Sequence, residues 1–144
     1  MVLFKHILLS AGLSLSAETS ALTEALYHEA RSLGYHGMVS VGIVIKNRVL
    51  SDRFPNSIRE VVNQPYQFSY VHQRDSYDMT EEDAREQAYR AAQAVLSSTQ
   101  WPTSGNVLFY HTDAVEPSWD YSKIEQRMVV GNHLFYSCID DNVC

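Results

Sequence analysis

The spacing of apolar positions changes along this chain, from helical in the first two thirds to extended near the end. Between Ala21 and Leu33, the residues Leu22, Leu26 and Leu33 recur at intervals of four and seven, which predicts an amphipathic helix. Thr19 or Ser20 can cap that helix and Gly34 can end it. From Met38 to Leu50 the chain is almost continuously apolar. Val39, Val41, Ile43, Val44, Ile45 and Val49 favour a strand by shape, but the length and the lack of alternation favour a buried helix, which is the expectation here. Ser57-Ile58-Arg59-Glu60 is a capping box, so a short helix is expected to run to Gln64 and stop before Pro65. Tyr66 to Asp78 has no period and reads as a loop. Thr80 caps a further helix with Glu81, Glu82 and Asp83 in its first turn and Ala84, Ala88, Ala91, Val95 and Leu96 as its stripe. Trp101 to Asn106 is a turn cluster. Val107–His111, Arg127–Val130 and His133–Ser137 read as strands, with Gly131-Asn132 as a tight turn between the last two. Helices followed by a small antiparallel sheet make the fold class α+β.

At 144 residues the chain is the size of one domain, and it shows no internal repeat and no linker. A net charge of −6 argues against a nucleic-acid binder. Lys5, the apolar run from Ile7, and the small residues up to Ala17 resemble a secretory signal cleaved near Ala17. The parse is therefore a signal over residues 1–17 and one domain over residues 18–144, secreted or periplasmic. The apolar stretch is too short for stable membrane insertion. Cys138 and Cys144 lack the spacing of a redox or zinc site and could close a small loop at the tail of an exported protein.

One residue breaks the pattern. On the helical wheel Glu29 falls between Leu26 and Leu33, inside the apolar stripe, while Glu24, Tyr27, His28 and Arg31 point the other way. A carboxylate in that position is costly unless it is paired or protonated, and desolvation raises its pKa. A glutamate tuned towards neutrality is what a general acid needs. A buried ion pair or a cap on a neighbouring turn would also account for it.

Around Glu29 an ordered set of strings becomes visible: Ala25-Leu26-Tyr27-His28-Glu29-Ala30-Arg31, Lys46-Asn47-Arg48-Val49, Phe54-Pro55-Asn56-Ser57-Ile58, Gln67-Phe68-Ser69, Tyr110-His111, Pro117-Ser118-Trp119 and His133-Leu134-Phe135-Tyr136. This succession resembles the cell-wall hydrolase family of the spore cortex-lytic enzyme SleB, in order over roughly residues 22 to 137. The resemblance implies a lysozyme-like catalytic domain, a helical lobe plus a small antiparallel β-sheet with a glycan-binding groove. It implies cleavage between N-acetylmuramic acid and N-acetylglucosamine, with Glu29 as the catalytic acid. Two departures stand out: His28 where the family often has Gly, and Ser32-Leu33 where a second acid often follows. A stand-alone lysin, including a phage-borne one, fits as well as a spore enzyme.

Glycoside cleavage needs a proton on the leaving oxygen and stabilisation of an oxocarbenium-like centre. Asp113, Glu116 and Asp120 are candidates for a second carboxylate. Without one, Glu29 can act as acid and then as base towards the substrate's 6-hydroxyl, as in lytic transglycosylation; if water attacks instead, the enzyme is a muramidase-like hydrolase. For sugar binding, Gln67 and Ser69 offer hydrogen bonds, Phe68 a ring beneath the sugar, Tyr110 and Trp119 stacking faces, and His111 and His133 further contacts. Asn47 and Arg48 are expected to brace the cleft. The expected partner is the peptidoglycan glycan strand, bound by a monomer without cofactor or metal. Two alternatives remain on the residues alone. A zinc-dependent wall amidase or peptidase could draw on His28-Glu29, although position 32 is Ser where the helical metal motif wants His, or on His111, Asp113 and His133 or His72. A non-catalytic wall-binding module would use the aromatics alone.

Overall fold

The computed structural model of the chain describes residues 12–64, 68, 78–97 and 107–140, with side chains from residue 17 onward. Four helices come first: α1 (Gly12–Ala30), continued by a 3-10 turn (Arg31–Leu33), α2 (Gly34–Leu50), α3 (Ile58–Val62) and α4 (Glu82–Ser97). Three strands follow, β1 (Val107–Thr112), β2 (Ile124–Val130) and β3 (His133–Cys138), in the antiparallel order β1-β3-β2. This is the α+β order expected from the sequence.

The ambiguous segment is helical, and the helix is longer than expected, starting at Gly34. Gly34 adopts φ +71°, so it does break α1 away, but the chain turns directly into α2. Val41, Val44, Ile45 and Val49 are fully buried in α2. Burial on all sides outweighs the mild cost of β-branched residues in a helix. Packing against α4 is close because residue 42 is Gly: a Cβ there would meet Val95 Cγ2 at 2.9 Å. Lys46 Nζ then donates to the Val95 carbonyl at 2.9 Å, satisfying an acceptor in the last turn of α4.

The helix starts are satisfied as the sequence suggests. Ser57 Oγ accepts from the Glu60 amide at 3.1 Å, and its hydroxyl donates to the Glu60 carboxylate. Glu18 Oε2 takes the Ile58 amide at 2.7 Å, so α1 also caps α3. α3 ends at Val62, short of the expected Gln64. In α4, Ala88, Ala91 and Val95 are buried as expected, Ala92 joins them, and Ala84 and Leu96 are half-buried.

Tyr27 lies on the wheel opposite Leu22 and Leu26, yet it is fully buried. The chain entering α4 covers that side of α1, and the Tyr27 hydroxyl accepts from the Glu81 amide at 2.9 Å. A side chain read as outward-facing is therefore part of the seam between α1 and α4.

Gly131 adopts φ +57° at the β2–β3 turn, and a Cβ there would meet Leu33 Cδ2 at 2.7 Å. Both the backbone angle and the contact select glycine. Gly131→Ala is expected to lower the unfolding free energy by about 1–2 kcal/mol, read by urea denaturation.

Among the described residues, no helix is long and apolar enough to cross a membrane. Residues 1–11 lie outside the described residues, and the expected cleavage point near Ala17 falls within α1. The expected turn Trp101–Asn106 and the loop from Tyr66, apart from Phe68 and Asp78, also lie outside them. Cys138 is disulfide-bonded; Cys144 is outside the described residues.

Candidate active site

β1 is an edge strand, and α2 occupies its open side. Asn47 Nδ2 donates to the Val107 carbonyl at 3.1 Å and Arg48 Nε donates to the Leu108 carbonyl at 2.8 Å. In a regular strand two successive carbonyls point to opposite sides. The register irregularity between Val107 and Phe109 lets both turn towards α2. Asn47 and Arg48 thus fix β1 against α2. Arg48 is 4% exposed, with its guanidinium carbon 5.1, 5.8 and 5.9 Å from the ring centres of Phe54, Phe68 and Phe109. Burial lowers its pKa to about 10, so it stays charged at neutral pH.

Anchored in this way, β1 carries Tyr110 to the end of α1. The Tyr110 hydroxyl donates to Glu29 Oε2 at 3.5 Å. Its ring stacks on His133 and Phe135, at 5.6 and 5.5 Å between centres, and lies tilted beside Phe68 at 6.5 Å. Glu29 itself is half-buried on the last turn of α1. Desolvation pushes its pKa up from 4.5 to about 7, while the Tyr110 hydroxyl pulls it down. The negative end of the helix dipole acts in the same direction as the burial. The helical wheel puts Glu29 in the buried stripe; in the structure it is half-buried, as is Leu33, while Leu26 is fully buried.

The remaining residues singled out from sequence do not all converge on Glu29. Successive residues of a strand face opposite ways, so Tyr110 and His111 cannot share a surface. Tyr110 faces Glu29, with Phe135 and His133 from β3 beside it. His111 turns to the outer face of the sheet with Phe109 and Tyr136, where Trp119 packs at 5.4 Å from His111 and 5.8 Å from Tyr136. His111 Nδ1–H donates to the Thr112 carbonyl, which leaves Nε2 to accept from the Tyr136 hydroxyl at 3.0 Å. Both ring nitrogens are thus engaged within the protein. His133 Nδ1–H donates to Asn132 Oδ1 at 2.9 Å, and burial lowers the His133 pKa. Phe68 is 1% exposed and forms a wall behind Tyr110. Gln67, Ser69 and His72 lie outside the described residues.

Asp113, Glu116 and Asp120 are exposed on the connection from β1 to β2. None of them figures in the electrostatics of Glu29, and the Ser122 hydroxyl and amide hold Asp120 ionised below the usual range. Among the described residues the site therefore offers one carboxyl poised near neutrality, one phenol against it, and an apolar wall. Such a group can give up a proton and take one back at the same pH.

A family model described as cell wall hydrolase matches residues 32–136, so that Glu29 stands just ahead of the matched stretch. The spore cortex-lytic enzyme of Bacillus subtilis (strain 168) is 34% identical over 116 residues, covering 79% of this chain and 35% of that protein. The spore cortex-lytic enzyme of Bacillus cereus is 33% identical, covering 79% of this chain and 42% of that protein. The chain thus spans well under half the length of these curated relatives. Two solved structures share its shape at 28% identity. The catalytic domain of the germination-specific lytic transglycosylase SleB from Bacillus anthracis matches with a TM-score of 0.63 over 84% of this chain and 93% of that one. The catalytic domain of the Bacillus cereus SleB protein matches with a TM-score of 0.66 over 85% of this chain and 90% of that one.

Proposed function

This chain belongs to the cell wall hydrolase family, and from that premise we propose that it cuts the glycan strands of peptidoglycan, with Glu29 as its acid and base. The observation that carries the reading is the state of Glu29: half-buried, close to neutrality and, among the described residues, next to a hydroxyl instead of a second carboxylate. In the forward step, protonated Glu29 gives its proton to the glycosidic oxygen between N-acetylmuramic acid and N-acetylglucosamine, and the bond from C1 to that oxygen breaks. The resulting carboxylate then takes the proton of the muramic 6-hydroxyl as that oxygen closes onto C1. The proton count balances, and Glu29 ends as it began, with a 1,6-anhydro product. A single acid suffices because the nucleophile comes from the substrate itself.

Peptidoglycan as substrate supports a site of action outside the cytoplasmic membrane, and residues 1–17 are proposed as the export signal. Support for a mature domain beginning at residue 18 comes from Glu18, whose carboxylate is built into the fold as the cap of α3. The test is mass spectrometry of the fragments released from purified peptidoglycan. Muropeptides with 1,6-anhydro ends are expected, in the presence or absence of EDTA. Released stem peptides with intact glycan, or activity abolished by EDTA and restored by zinc, would overturn the proposal.

A further inference from the structure

A glutamic acid can serve as a proton donor only if the right oxygen faces the substrate, and its last torsion is a broad, two-fold one that does not choose between them. In this structure the choice is made from the neighbouring strand β1. The Tyr110 hydroxyl lies 3.5 Å from Glu29 Oε2, and three rings pack against the half-buried Tyr110 ring. His133 and Phe135 stack on it at interplanar angles of 20° and 26°, and Phe68 stands at 47°. His133 is itself held through Nδ1 by Asn132, and the strand bearing Tyr110 is held through the Leu108 carbonyl by Arg48.

We propose that Tyr110 is a positioning residue: its hydroxyl holds Glu29 Oε2 and so presents Oε1 as the oxygen that meets the glycosidic bond. This deepens the reading of Glu29 as the acid and rests on it. It also changes the role expected of Tyr110 from the sequence. The Tyr110 ring packs on Phe68, His133 and Phe135, and what it offers to Glu29 is its hydroxyl. Burial and the neighbouring Glu29 raise the Tyr110 pKa, so the phenol keeps its proton and remains a donor throughout the working range. The bond is better to a carboxylate than to a neutral carboxyl, so it steadies Glu29 after proton release and limits how far burial raises its pKa. Among the described residues, the other titratable groups around the pair are Arg48 from α2 and His133 from β3. On α1, His28 and Arg31 are turned to the side of Tyr27.

Tyr110→Phe tests this, because it keeps the ring and removes one oxygen. Two readouts are needed. The Glu29 carboxyl, followed by carbon NMR across pH, is expected to titrate about half a unit to one unit higher in the variant than in the wild type. Glycan cleavage is expected to fall about tenfold in kcat with KM little changed, and the alkaline limb of its pH profile is expected to move up with the carboxyl. An unchanged Glu29 titration would overturn the proposal whatever the activity. A shifted titration with an unchanged pH profile would leave the contact standing and instead count against Glu29 as the acid. Should the variant fold poorly by circular dichroism, His133→Phe, which keeps a stacked ring and leaves the phenol in place, is expected to retain the wild-type Glu29 titration. A shift there would equally overturn the assignment to the hydroxyl.

Discussion

Glu29→Gln is expected to lower glycan cleavage by about two to four orders of magnitude and, at the same time, to make the protein more stable above neutral pH. Both outcomes follow from one fact, that the carboxyl is partly withdrawn from water and titrates near 7 instead of 4.5. Glutamine has nearly the same shape, and its carbonyl can still accept from Tyr110, so the local packing is kept. It has no proton to give at accessible pH, and a lost general acid costs about 10²–10⁴ in rate. For stability, the folded state binds this proton more tightly than the unfolded chain. The favourable contribution is complete below pH 4.5 and disappears as pH rises through 7. The shift corresponds to roughly 3 kcal/mol at full effect, reduced because Glu29 remains partly in contact with water. Urea denaturation at pH 4 and pH 8 checks this. Wild type and variant should be close at pH 4, and the variant should be the more stable at pH 8. Near-normal cleavage by Glu29→Gln would remove the acid from the proposed mechanism. Equal stabilities at both pH values would show that the carboxyl is not desolvated.

What could be read from the sequence was what local rules govern. Ser57 and Glu60 form their cap because residues three apart in a first turn must meet, and Gly131 makes its turn because few other residues adopt its backbone angle. Glu29 was legible because helical periodicity places it among leucines without knowledge of any partner. The partner was not legible. Tyr110 and Glu29 are separated by 81 positions and meet only because β1 is hung on α2 through Asn47 and Arg48. Tyr110 and His111, adjacent in the chain, are both expected from the sequence among the sugar-binding residues, but strand alternation sends them to opposite faces. That alternation was available in the sequence once Val107–His111 had been read as a strand. Trp119 goes with His111 to the outer face because its partners there, Phe109 and Tyr136, alternate in the same phase. Tyr27 was missed for the converse reason, since a wheel shows one buried face and α1 is covered on two.

Arg48→Ala should be the most damaging change outside the acid itself. Its effect depends on which of two opposed terms is larger. Burying the guanidinium is unfavourable, as its pKa, depressed to about 10, records. Removing the charge relieves that cost. Against this, the alanine variant loses a charge-assisted bond of 2.8 Å and leaves the Leu108 carbonyl without that partner. It also forfeits the contacts with Phe54, Phe68 and Phe109 and opens a cavity between them. The losses are several and the relief is single, so the balance is a destabilisation on the order of 3 kcal/mol, or about 10 °C in Tm. Arg48→Met separates the terms. It relieves the charge and fills much of the space, so it should lose less stability than alanine while still freeing the Leu108 carbonyl. Arg48→Lys keeps the charge over the rings but cannot place an N–H where Nε stands, and should fall between them. Activity has its own order, because β1 carries Tyr110. Methionine restores packing but not the bond that fixes the strand, so it should recover stability more fully than it recovers cleavage. If stability and cleavage recover in parallel across the three variants, Arg48 is only filling space, and the path from α2 through β1 to Glu29 does not exist.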